Sequence, residues 1–141
     1  MNAIIIYESL TGNTRKAASR VGAELTGAGV HVASICPVVE VDLPALALAD
    51  VVLLGGWVDG LFVFGQKPGR LGRLHRLPAI GGKKAVSFCT YAINPGHTLD
   101  KMDRLLESRG GESIGGLAIN RRHIEEGAAD LASRVVAALT P

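Results

Sequence analysis

At 141 residues the chain has the length of one ordinary domain and can bury a single sizeable core. Apolar residues make up 48% and charged residues 20%, which excludes a disordered segment. The net charge of +2 names no partner, and without an aromatic-interleaved basic stretch or a nucleic-acid motif, DNA and RNA are not expected ligands. The start, Met1 to Tyr7, lacks the basic region of a secretion signal. The longest apolar stretch, Val51 to Gly65, is interrupted by Asp59 and several glycines and falls short of the ~20 residues of a membrane helix. A cytoplasmic protein without membrane contact is expected. Cys36 and Cys89 form no close-spaced metal or redox motif, so two buried free thiols and no metal are expected.

With no internal repeat, low-complexity tract or linker, residues 1–141 read as one domain. Ala3–Tyr7 is a continuous apolar run, as in a strand covered on both faces. A polar, glycine-containing turn leads into a helix with Ala17, Val21 and Leu25 on one stripe, which Gly27 and Gly29 can stop. Val30–Cys36 is the second strand, Leu43–Ala49 a short helix, and Val51–Gly55 the third strand. Residues 56–69 read as irregular, and a short basic helix follows over Arg70–Leu77. Lys84–Cys89 is a fourth strand. Thr98–Arg109 is a helix with Thr98 as its N-cap, Leu99, Met102, Leu105 and Leu106 inward, and Gly110-Gly111 as its stop. Ser113–Ile119 is a fifth strand, and a last helix carries Ile124, Ala128, Leu131, Val135 and Leu139 on one face.

Five strands alternating with helices imply right-handed crossovers and an α/β, doubly wound, five-stranded parallel sheet. Ligands bind such sheets beyond the carboxyl ends of the strands, where the strand order reverses. Function is therefore sought in the loops after Tyr7, Gly55 and Cys89.

The first of these is Glu8-Ser9-Leu10-Thr11-Gly12-Asn13-Thr14. Three hydroxyls and a run of backbone N–H groups at a helix N-terminus can surround an anion, and Gly12 permits close backbone approach. No Lys follows the glycine, so the loop lacks what a nucleotide triphosphate with magnesium needs and suits a terminal monophosphate. The same residues also read as a Ser/Thr-rich helix cap. The third-strand loop, Gly55-Gly56-Trp57-Val58-Asp59-Gly60, holds the chain's only Trp. The fourth-strand loop is Thr90-Tyr91-Ala92-Ile93-Asn94-Pro95-Gly96-His97.

Ser9, Thr11, Gly12 and Thr14 match every fixed position of Ser/Thr-x-Thr-Gly-x-Thr, the phosphate motif of the flavodoxin family, at the family's position directly after strand one. The chain resembles that family along its whole length in element order, and the short-chain type in having no insertion in its fifth strand. The resemblance implies the order 2-1-3-4-5 and FMN as cofactor at the switch between strands one and three. It places Ser9, Leu10, Thr11, Gly12, Asn13 and Thr14 on the phosphate, and Gly56, Trp57, Val58, Asp59 and Gly60 against the flavin ring with Trp57 stacked on it. Thr90, Tyr91, Ala92, Asn94 and Gly96 would cover the other face and the pyrimidine edge. Asn94-Pro95-Gly96 reads equally as turn chemistry, and His97 as an exposed neighbour of the helix cap. With strands two and four three spacings apart, roughly 14 Å, a Cys36–Cys89 disulfide is out of reach.

Gly56, Val58 and the charge of residues 67–76 depart from the family pattern. Val58 stands where a glycine eases reorientation of the following peptide on flavin reduction, and a β-branched residue raises that cost by about 1–2 kcal/mol. Lys67, Arg70, Arg73, His75 and Arg76 form a basic segment where electron-carrying flavodoxins are usually acidic. Positive potential there favours an acidic partner surface or an anionic substrate, and a solvated helix face is the plain alternative. The leading expectation is an FMN-binding electron carrier working between a reductase and a redox acceptor, with no catalytic side chain. The alternatives are an FMN-dependent NAD(P)H:quinone-type reductase and a non-redox binding module, in which Leu61-Phe62-Val63-Phe64 would occlude the flavin site or bind a partner.

Overall fold

The computed structural model describes residues 1–59 and 66–141, so the expectations for Gly60 and for Leu61–Phe64 lie outside the described residues. Five principal strands form a sheet: β1 (Asn2–Tyr7), β2 (His31–Pro37), β3 (Val51–Asp59), β5 (Lys84–Tyr91) and β6 (Glu112–Asn120). Their spatial order is β2-β1-β3-β5-β6, all parallel, which is the expected order of the five predicted strands. A sixth, two-residue strand, β4 (Lys67–Pro68), pairs antiparallel with the end of β3.

Apolar runs become strands here because both faces are covered. Ile4 and Ile6 point to one side with Val52 and Leu54; Ala3 and Ile5 point to the other with Val51 and Leu53. The second side is closed by α1 (Asn13–Gly27) and α5 (Ile124–Leu139), through Ala17, Val21, Leu25, Ala128, Leu131 and Val135. The first side is closed by α2 (Leu43–Leu48), α3 (Leu71–Leu74) and α4 (Thr98–Ser108), through Leu46, Leu74, Met102 and Leu106. Helices α1 and α4 end as the glycines require. Gly29 (φ 89°) and Gly110 (φ 87°) adopt left-handed backbone, and the amides of Val30 and Gly111 reach back to the carbonyls of Leu25 and Leu106.

Three local expectations are corrected. The irregular stretch from residue 56 is extended as far as Asp59, because β4 returns along its edge and the Gly69 amide bonds the Trp57 carbonyl at 2.7 Å. The basic helix is a single turn, Leu71–Leu74, since Arg70 in front of it takes left-handed backbone (φ 50°, ψ 49°). Thr98 is not the cap of α4: its amide closes a turn onto the Pro95 carbonyl, His97 takes the cap position, and the Thr98 hydroxyl is buried without a hydrogen-bond partner among the described residues.

The sheet positions a site in one way. The chain leaves β1 toward β2 on one side and crosses over β1 to reach β3 on the other, so the loops after β1 and β3 diverge at their carboxyl ends. The loop after β5 is the next neighbour.

Candidate functional site

At that divergence the three loops line one cleft of about 210 Å³. The β1 loop supplies Leu10, Thr11 and Asn13, the end of β3 supplies Trp57 and Val58, and the end of β5 supplies Thr90, Tyr91 and Ala92. The structure thus brings together eight of the sequence-predicted positions and adds Arg121, which belongs to none of the predicted motifs.

The β1 loop is built as an anion cradle. Gly12, with φ 94°, turns the chain into α1, and its amide donates to Ser9 Oγ at 3.1 Å. Asn13 Nδ2 donates to Thr11 Oγ1 at 3.3 Å. Among the described residues the amides of Asn13, Thr14 and Arg15, at the positive end of the helix, have no backbone acceptor. Unspent amides with two hydroxyls fit a phosphate monoester without a metal.

Thr14 is placed differently from the motif's expectation. It is 1% exposed, its Oγ1 donates to the Gly56 carbonyl at 3.2 Å, and it meets Thr90 Oγ1 at 2.9 Å. A hydroxyl has one proton. Whether that of Thr14 goes to the Gly56 carbonyl or to Thr90, the Thr14 hydroxyl has no donor left for an anion. The pair instead ties the first turn of α1 to the ends of β3 and β5. Gly56 takes part through its carbonyl, buried against Met102.

Trp57 forms a wall. Its indole lies so close on the Gly69 backbone that a β-carbon there would overlap the ring, and its Nε1 is buried without a partner among the described residues. Val58 is extended and faces Pro68 across the β3–β4 pair, so the bonds of that pair are made by the residues flanking it. Asp59 is exposed beside Lys67. Asn94 and Gly96 do not line the cleft: Asn94 Oδ1 accepts the Gly96 amide at 2.9 Å, in the turn that Gly96 (φ 53°) completes. His97 is exposed, with Nδ1 3.2 Å from Asp100 Oδ2.

The basic segment has an unforeseen counterpart. Glu8, 3% exposed, lies under α3, with its Oε1 3.4 Å from Arg70 Nη1 and 3.7 Å from Arg73 Nη1. The charges of Arg70 and Arg73 are therefore directed inward in part, and the strained backbone of Arg70 is held where the pair forms. Both cysteines are buried and unbridged. Burial pushes the Cys89 thiol up to about 12, so it stays protonated and is no nucleophile at neutral pH.

The chain matches the family model described as "Flavodoxin domain" over residues 4–105. Curated protein sequences return no match. Among solved structures it is similar to the two-electron reduced flavodoxin of Megasphaera elsdenii, with 25% identity, a TM-score of 0.71, and coverage of 93% of this chain and 98% of that one. It is similar also to flavodoxin 2 of Bacillus cereus, with 20% identity, a TM-score of 0.74, and coverage of 99% and 100%. A mutant flavodoxin of Pseudomonas aeruginosa gives 20% identity, a TM-score of 0.74, and coverage of 99% of each chain. With most of its length inside the family model and a cleft where three loops converge, the chain belongs to the flavodoxin family of FMN-binding electron-transfer proteins.

Proposed function

We propose that residues 1–141 act as one cytoplasmic domain passing electrons between a reductase and an acceptor, with FMN held in the cleft of Thr11, Asn13, Trp57, Val58, Tyr91 and Ala92. The observation that carries this is the convergence of an anion cradle and two aromatic side chains on one cleft at the strand-order reversal. Bound FMN supplies the one- and two-electron chemistry. The chain's part is to hold and tune it. The free amides of the β1 loop and the hydroxyls of Ser9 and Thr11 orient the phosphate, while Trp57 and Tyr91 provide apolar contact for the ring and keep water from it.

The pairing of β3 with β4 supports the expectation for Val58. Turning the Val58 peptide over would work against a β-branched side chain and against the neighbouring Gly69–Trp57 bond. Two one-electron potentials lying close together in a potentiometric titration are expected; well-separated ones would refute this. Lys67 and Arg76, which form no ion pair among the described residues, together with the partly exposed Arg70 and Arg73, put positive charge along residues 67–76, which supports an acidic partner.

The direct test is titration of the apo-protein with FMN. Quenching of flavin fluorescence, together with quenching of the single Trp57, is the expected result. Binding that leaves Trp57 emission unchanged would place the flavin elsewhere. Slow NADPH or NADH turnover with quinone unless a reductase is added would separate a carrier from a self-sufficient reductase.

A further inference from the structure

We propose that Arg121 is the cationic donor to the cofactor's phosphate, taking the part that Thr14 vacates. This rests on the FMN site proposed above. Three observations carry it. First, Arg121 lines the cleft together with Leu10, Thr11 and Asn13 of the phosphate loop. Second, its place there is built rather than incidental. The Arg121 amide donates to the Tyr91 carbonyl at 2.9 Å, which anchors the residue to the end of β5, and Asn120 Oδ1 accepts the Arg122 amide at 2.9 Å in the turn that leaves β6. Third, the guanidinium is unspent: among the described residues it enters no ion pair and no side-chain hydrogen bond, whereas Arg20, Arg70, Arg73 and Arg134 each have an acidic partner.

Residues 9–14 carry no cationic side chain of their own. A phosphate monoester carries close to two negative charges at neutral pH. The cradle meets them with neutral groups alone, and one of its three hydroxyls has turned away: Thr14 Oγ1 lies against the Gly56 carbonyl and Thr90 Oγ1. A guanidinium presents paired N–H donors and a full charge to phosphate oxygens. Arg122, next in the chain but absent from the cleft lining, supplies an internal control of equal charge.

The experiment compares FMN with riboflavin, which has the same ring and ribityl chain and no phosphate. Dissociation constants for both are measured by fluorescence quenching on wild type, Arg121→Gln, Arg121→Lys and Arg122→Gln, at low and high NaCl. The expected result is an FMN affinity lowered about tenfold or more in Arg121→Gln, the range for one charge-assisted hydrogen bond. Riboflavin should be unchanged within about twofold, Arg121→Lys should recover part of the loss, and Arg122→Gln should match wild type. The salt dependence of FMN binding should flatten in Arg121→Gln. Equal loss of FMN and riboflavin would overturn the proposal in favour of a shaping role in the cleft. Unchanged FMN binding would overturn it in favour of a surface role, which altered salt dependence of electron transfer would then reveal. A wild-type protein that binds neither flavin would refute the FMN site itself, a failure separable from the other two.

Discussion

Replacing Thr14 with Val tests whether this residue braces the fold or grips the phosphate. Valine keeps the outline and the β-branch while removing the hydroxyl. The change deletes a bond to Gly56 O at 3.2 Å and one to Thr90 Oγ1 at 2.9 Å, in a place 1% exposed. Each such bond is worth about 1 kcal/mol net, and the stranded Thr90 proton adds the cost of a buried donor without a partner, so a loss of about 2–3 kcal/mol is expected. In the apo-protein this reads as a urea midpoint lowered at constant m, and in melting as a fall of about 6–10 °C. Thr14→Val/Thr90→Val should lose less than the two single changes combined, with a coupling of about 1 kcal/mol, because the double variant leaves no stranded donor. The ratio of FMN to riboflavin affinity should be as in wild type. Apo-stability within about 0.5 kcal/mol of wild type, joined to a selective loss of FMN, would refute the arrangement and return the Thr14 hydroxyl to the phosphate.

Gly69→Ala should push the Trp57 indole off the backbone it rests on, at about 1–3 kcal/mol of overpacking, with a red-shifted Trp emission and weaker FMN binding; unaltered emission would contradict the packing. Glu8→Gln removes the acid beneath Arg70 and Arg73. Because both guanidinium groups are more than a third exposed and solvent-screened, a loss of about 1 kcal/mol is expected, and 1 M NaCl should narrow the difference from wild type. Cys89 yields a pH prediction. Its thiol is held protonated to about 12 while an unfolded chain releases the proton near 9, so the folded state binds more protons between those values and stability falls as pH rises through that window, by up to about 1.4 kcal/mol per pH unit. Urea midpoints at pH 8 and 10 should therefore draw closer in Cys89→Ala; an unchanged gap would refute the assignment.

The parallel sheet was legible because its strands are apolar runs covered on both faces, a pattern that survives in Ala3–Tyr7 and Val51–Gly55 without reference to neighbours. The phosphate loop was legible because its glycine and hydroxyls are consecutive. Thr14 shows where motif matching stops and periodicity should have been heard: with Ala17, Ala18, Val21 and Leu25 it falls on the buried stripe of α1. Glu8 carried a similar signal, two residues beyond Ile6 on the inward side of the strand. Its partners, 62 and 65 positions away, could not be matched to it until α3 was placed. Arg121 belongs to no motif, and the turn after the last strand borders the cleft only through the folded sheet. Strand β4 is too short for periodicity to reveal at all.

The buried carboxylate of Glu8 also bears on how long a partner can stay. An acidic partner of the kind proposed above, if it approached α3, would meet guanidinium groups that Glu8 already holds, so Glu8 would compete with it for them. Drawing the arginines outward strands a charge that is 3% exposed, and each ion pair made outside is offset by one weakened inside. A complex docked there would be shallower than its ion pairs alone suggest. Early departure is the exchange regime a shuttle requires, because an electron carrier that lingers on one partner cannot reach the next.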